Sequence, residues 1–310
     1  MSHGEEWGAL APTVVAAARA LAIDAVAAEF SERLERDGIE AIVLKGGALA
    51  EWLYEDAVRG YGDVDLLVDM RCVLAVESRL RELGFETGPG KAPPETPHAR
   101  AWRRPSDGAV VDVHWTVSGS CVSPAETYQV LRAHTGSVRL GGGHVTTLDR
   151  TSAALLVVLH ASQHEAGKPL EDLERALDRT SLGEWFEART IADRLQADYA
   201  FSHGLRLSPR GQVLAAELGL PPAAVIDAAG SAEGSLVLGI ERLRRTHGVR
   251  ARLALITSEV VPNPEFMRWR LPLARRGTRG LAAAYAWRLL VLCWRGIPSV
   301  FAWWRARRKP

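Results

Sequence analysis

Two aspartates stand two residues apart in a run that is otherwise apolar, Asp63-Val64-Asp65-Leu66-Leu67-Val68. A short stretch of branched and apolar residues predicts a buried strand. Side chains alternate along a strand, so both carboxylates fall on one face. Like charges that close raise the cost of ionising both. A hard divalent cation such as Mg²⁺ removes that cost and takes oxygen ligands readily. The chain must therefore bring positive charge to one side of this strand, which limits what can surround it. A third carboxylate on a neighbouring strand would complete a cation site, and Asp112 in Val111-Asp112-Val113-His114-Trp115 is placed to supply it.

Just upstream, Ile39 to Leu44 reads as a second short strand, broken by Lys45-Gly46-Gly47 before a helical pattern resumes at Ala48 to Tyr54. A strand, a glycine turn and a helix offer unblocked backbone N–H groups to an anion. Read singly, these features are a turn residue, a solvated carboxylate and a tight turn; their order on alternating structure favours a site. Alternation puts His114 on the face of Asp112, where it could orient a carboxylate or touch a ligand, and turns Trp115 toward the core.

The remaining pattern divides the chain. An alanine-rich amphipathic helix spans Pro12 to Arg36, with Ile23, Val26, Ala27, Phe30 and Leu34 on one side. A turn at Arg59-Gly60-Tyr61-Gly62 precedes the acidic strand, and a helix at Cys72 to Leu83 follows it. Residues 86–97 hold four prolines and two glycines and read as a loop. A hairpin is expected from Ala99–Arg104 and Ala109–Trp115, and a last strand from His144 to Leu148. Helices are expected over Thr151–Glu165, Leu170–Leu177, Leu182–Ala200, Pro209–Leu218 and Ser235–Arg245. The expected organisation is an α/β (α+β) catalytic part over residues 1–148, a helical part over 149–280 and a basic, Trp-rich segment over 281–310.

Composition narrows the function classes. Of 310 residues, 47% are hydrophobic and 24% charged, which excludes a disordered or collagenous chain. The three cysteines, Cys72, Cys121 and Cys293, are dispersed and suggest neither a disulfide framework nor a cysteine zinc site. The polar, acidic first residues do not read as a signal peptide, so the cytoplasm is the expected compartment. His160 and His164 have the four-residue spacing of a zinc pair, but no third ligand stands at a diagnostic distance. The net charge of +1 hides an asymmetry: residues 241–310 carry 16 Lys and Arg against three acids. That imbalance is met either by the acidic remainder of the fold or by an outside polyanion. Five of the ten tryptophans lie in the last 42 residues beside arginines. This suits a helix packed on its own domain, a membrane surface or, less well, nucleic acid.

The stretch Leu44 to Val68, taken with Asp112-Val113-His114-Trp115, resembles the nucleotidyltransferase superfamily typified by DNA polymerase beta. Within it the chain is similar to a bacterial group of uncharacterised nucleotidyltransferases, which share the LKG turn, an Arg, GD-x-D and D-x-HW before a helical remainder. The resemblance implies transfer of a nucleotidyl group from an NTP to an acceptor with Mg²⁺ or Mn²⁺ held by Asp63, Asp65 and Asp112. It implies that Asp63 and Asp65 bind both ions, and that Asp112 serves the ion at the acceptor and accepts the proton of the attacking group. Gly46 and Gly47 would let backbone approach the phosphates, and Lys45 or Arg59 would neutralise the pyrophosphate. The acceptor implied is a small molecule, a peptide or a protein, and nothing in the sequence selects among them. Two departures stand out: Gly47-Ala48 supplies no hydroxyl where Gly-Ser is common, and fifteen residues separate Gly47 from Asp63. They leave open a non-catalytic nucleotide-binding or partner-docking protein on the same fold.

Overall fold

The computed structural model describes residues 12–55, 59–87, 98–164, 167–220 and 271–307, with 243, 248, 249, 252, 253, 256, 257, 261, 264, 267 and 268 between the last two stretches; residues 12–13 and 295–307 are described as backbone. The loop at 88–97 and all but one residue of the helix expected at Ser235–Arg245 lie outside the described residues.

Six strands form one mixed sheet: β1 (Ala41–Val43), β2 (Val64–Val68), β3 (Ala99–Arg103), β4 (Val110–His114), β5 (Thr135–Leu140) and β6 (Gly143–Leu148), in the order β3-β4-β2-β1-β6-β5. β2 runs parallel to β4 and antiparallel to β1, and β1 runs parallel to β6. Alternation sorts the central strands onto two faces. Val64, Leu66, Val68, Val111 and Val113 join one core with Phe30 and Leu34 of α1 (Pro12–Arg36) and with Val76 and Leu80 of α3 (Val73–Glu82). Ile42, Leu44 and Leu67 point the other way, into a second core filled by the C-terminal helices. Asp65, Asp112 and His114 have the parity of that second face.

The second face is covered by α2 (Gly47–Leu53), α4 (Pro124–Arg132) and five helices after the last strand: α5 (Arg150–Ala161), α6 (Lys168–Arg179), α7 (Leu182–Arg194), α8 (Asp198–Arg206) and α9 (Pro209–Glu217). Asp149 caps α5, accepting the Ser152 N–H at 2.8 Å, so the chain turns from strand to helix within one residue. Ten of the twelve α5 residues are buried, and an apolar surface all round is what a central helix needs. The C-terminal helices thus share one hydrophobic core with the sheet rather than closing a separate one.

Three local features differ from expectation. Leu182–Ala200 is two helices, because the chain breaks at Gln196, whose φ of +50° is left-handed. No glycine or proline marks that break, so the helical periodicity runs through it unbroken. The second is α4, a helix in a stretch where none was expected. The third is β5, an edge strand with alternate residues exposed and only Val138 and Leu140 buried, which gave little apolar signal. It pairs with β6 around Gly141-Gly142, both at positive φ as a tight hairpin requires. A Cβ at Gly141 would lie 2.4 Å from the Asp24 carbonyl oxygen, so α1 seats directly on the hairpin tip.

Beyond the sheet and its helices, α10 (Gly277–Arg307) follows a 3₁₀ turn at Pro272–Arg275, and the two pack together around Met267, Ala274 and Ala284.

Candidate active site

The parallel register of β2 and β4 sets Asp65 directly opposite Asp112. With both side chains on the same face, two carboxylates share a partly dry space at the sheet centre. His114 lies two residues further along β4, and its Nε2 is 2.9 Å from Asp65 Oδ1. An ionised carboxylate only accepts hydrogen bonds, so the imidazole donates from Nε2 and orients Asp65. The Lys45 ammonium, at the end of the first strand–turn unit, reaches the same oxygen at 3.4 Å. Burial works to raise the Asp65 carboxyl, yet Lys45 and His114 together hold it well below the ordinary carboxylate range. Asp65 is the ionised anchor of the cluster.

Asp112 is its counterpart. Burial, and then the neighbouring Asp65 charge, push its carboxyl up to about 6. Its Oδ1 is buried without a hydrogen-bond partner. A buried acceptor with no donor is costly, and it is unusual in a native interior. The donor atoms of Asp65, Asp112 and His114 all lie within 4.8 Å of one another, a spacing that suits one metal ion. Asp63 is outside that tight group: it sits one residue before β2, half-buried, its carboxyl raised by burial and by Asp65. The third member of the compact cluster is therefore His114, with Asp63 at its margin.

The glycine turn is placed beside this cluster. Gly46 caps α2 with φ +70°. A Cβ on Gly47, however, would fall 2.5 Å from Asp24 Oδ1 and 2.7 Å from Leu140 Cδ2. What approaches Gly47 is α1 and β5, and that packing is what its missing side chain permits. Asp24 is held there by the Tyr61 hydroxyl at 2.8 Å.

Arg59 is buried and committed elsewhere. Its Nε and Nη2 donate to the two Asp172 oxygens at 3.1 and 2.8 Å, and the Tyr54 hydroxyl donates to Asp172 Oδ1 at 2.7 Å. This two-pronged pair joins the segment before β2 to α6. The guanidinium nevertheless remains close enough for its charge to lower Asp63. A second tie runs beside it: Arg175 and Arg179 of α6 donate to the Leu53 and Trp52 carbonyls that end α2. Cationic groups at a helix C-terminus satisfy carbonyls that lack partners and oppose the helix dipole.

The helical half also turns its ionisable groups toward the acids. His160 ends α5 4.9 Å, ring to ring, from His164. Burial, then Lys45, drives the His160 imidazole down to about 3, so it is neutral near pH 7. Lys168, the first residue of α6, is lowered by burial and by Arg59, while Asp172 and Asp63 oppose that shift. A separate polar cavity of ≈ 680 Å³, lined by Glu35, Tyr128, Arg132 and His144 among others, contains none of these aspartates.

Residues 10–210 match the family described as uncharacterised nucleotidyltransferases, about two thirds of the chain and the elements from α1 through α8. The chain belongs to that family. No curated protein matches it. Among solved structures it is similar to an antigenic nucleotidyltransferase-like protein from Paracoccidioides brasiliensis, at 18% identity and a TM-score of 0.40, over 65% of this chain and 95% of the other.

For this nucleotidyltransferase-family chain, two participants escaped the sequence: Asp172 as the partner of Arg59, and Lys168. Their signal was faint but present, since His160, His164, Lys168 and Asp172 recur every fourth residue. The interruption between α5 and α6 hid the pattern, because helical periodicity does not carry across a break.

Proposed function

We propose that the chain is a metal-dependent nucleotidyltransferase that moves a nucleotidyl group from an NTP to a small-molecule, peptide or protein acceptor. The observation that carries this reading is the pairing of Asp65 with Asp112 in register, one held ionised and the other left with a buried, partnerless oxygen. Such a pair fits a divalent cation, which would supply the positive charge the orphaned oxygen lacks. Asp65 and Asp112 would hold Mg²⁺ or Mn²⁺ with Asp63 at the margin, and the ion would polarise the phosphate oxygens.

The chain's own groups have distinct tasks in this reading. His114 fixes the Asp65 carboxylate by its hydrogen bond. Lys45, now on Asp65, would turn to the triphosphate and offset charge on the departing pyrophosphate. Arg59, clamped by Asp172, adds fixed positive charge from behind. Asp112, through the carboxylate oxygen that is not on the ion, accepts the proton of the acceptor's attacking hydroxyl as the hydroxyl oxygen bonds the α-phosphorus and the bond to the pyrophosphate oxygen breaks. Gly46 keeps the turn open at the phosphates, while Gly47 serves packing.

The test is incubation with labelled NTPs and Mg²⁺ or Mn²⁺, reading pyrophosphate release and label on the acceptor or on the protein itself. Asp65→Asn should lower turnover at least about a hundredfold. Metal and nucleotide binding that survive unchanged in Asp65→Asn would remove the metal assignment. The closely packed Gly47 and the buried Ala48, with no hydroxyl at the turn, favour a second reading: nucleotide binding without transfer. It is distinguished by binding that never yields pyrophosphate.

A further inference from the structure

α10 has two sides. Leu281, Ala284 and Tyr285 pack against the 3₁₀ turn at Pro272–Arg275 and Met267. Trp287, Leu290 and Trp294 are on another side, 58%, 65% and 84% exposed. At about 100° per residue these three fall within an arc of about 60°, so they form one apolar stripe. Exposed tryptophans in a row are uncommon on a surface that meets only water. The charge around them has one sign: residues 266–310 contain eleven Lys and Arg and no Asp or Glu. An acidic protein partner or a polyanion would satisfy the charge alone. Arg279, however, is exposed about 20° from Leu290 around the helix, and Arg276, also exposed, stands just before the helix. Indole rings beside such arginines match the level of a membrane where an amphipathic ring meets headgroups and a basic side chain meets anionic lipid.

We infer that α10 lies in the plane of an anionic membrane surface, with the Trp287–Leu290–Trp294 stripe in the headgroup layer and Arg276 and Arg279 on acidic headgroups. Crossing is not involved. No helix of the described residues is long and apolar enough to cross a membrane. Arg288 and Arg295 also interrupt the apolar stretch, and arginine at a bilayer centre is expensive. The inference is independent of the transfer reaction and would place that reaction at a lipid surface.

The test is co-sedimentation of the full chain with vesicles of phosphatidylcholine, alone or mixed with phosphatidylglycerol. Sedimentation with the mixed vesicles, little with phosphatidylcholine alone, and weakening as salt is raised are expected. Replacing the stripe together, Trp287→Ser, Leu290→Ser and Trp294→Ser, should weaken partitioning at least about tenfold. The exposed positions should leave the circular dichroism and melting temperature unchanged. Arg276→Gln with Arg279→Gln, both exposed, should reduce binding to the mixed vesicles alone. Equal partitioning by the stripe variant overturns the inference, as does failure to sediment with the mixed vesicles. Capture by an RNA oligonucleotide without vesicle binding overturns it in favour of nucleic acid.

Discussion

Asp172 is a carboxylate in the helical half whose partner, Arg59, lies 113 residues earlier in the chain. Burial works to raise its carboxyl, but the Arg59 guanidinium and the Tyr54 hydroxyl hold it below its ordinary value of 3.8. Its contribution to stability is therefore complete above that value and lost as pH falls below it. Asp172→Asn should cost about 3 kcal/mol at pH 7 in denaturant unfolding, because it leaves a buried guanidinium without its counter-charge. The difference from the unaltered chain should shrink in acid. His160 has the same sign for a different reason. Held near 3 by burial and Lys45 against an ordinary 6.5, it stays neutral in the fold while the unfolded chain takes up a proton. Stability should fall as pH drops from about 6.5 toward 3, and His160→Asn should flatten that part of the unfolding profile. At this scale the aspartates and His114 were legible, because alternation on a strand is local information. Arg59 was legible as a basic residue near the site but not as half of a pair. Its partner is set by tertiary packing that no spacing encodes.

Among elements, the unit of strand, glycine turn and helix around Lys45 shows how one residue can be read in two ways. The sequence suggests backbone that approaches phosphate at both glycines. The structure gives Gly47 to contact with α1 and β5. Gly47→Ala should cost about 1–3 kcal/mol by forcing Asp24 or Leu140 aside, measured as a lower melting temperature, while leaving metal affinity unchanged. A large loss of metal affinity in that variant would put Gly47 back in the site. The helices and central strands were legible where periodicity was strong. α1 matches its expected span, Pro12–Arg36, residue for residue. β5 was not legible, since an edge strand with one buried side needs few apolar residues. Nor was the α7–α8 break, where the backbone turns at Gln196 with no residue to announce it.

The whole molecule joins a mixed sheet to a helical cap through a common core, and the acidic face of the sheet is the face the cap covers. Ionisable groups from both halves consequently meet: Asp63, Asp65, Asp112, His114, Lys45 and Arg59 from one, His160, Lys168 and Asp172 from the other. The order of elements and the change from alternating to helical pattern near residue 148 were written in the sequence. The closure of one half over the other was not, because it depends on contacts between residues a hundred or more apart. The charge imbalance toward the C-terminus was legible as a fact, whereas the exposed Trp287–Leu290–Trp294 stripe of α10 required the helix to be seen. A cation shared by Asp65 and Asp112 is what the proposed chemistry requires first. Diffraction at the manganese edge, from crystals grown with Mn²⁺ and a non-hydrolysable NTP analogue, tests it most directly. An anomalous peak about 2.1 Å from an oxygen of each carboxylate, with Lys45 drawn off Asp65 toward the phosphates, is the result expected. Bound nucleotide with no peak between those two aspartates, and Asp112 Oδ1 still without a partner, would contradict it.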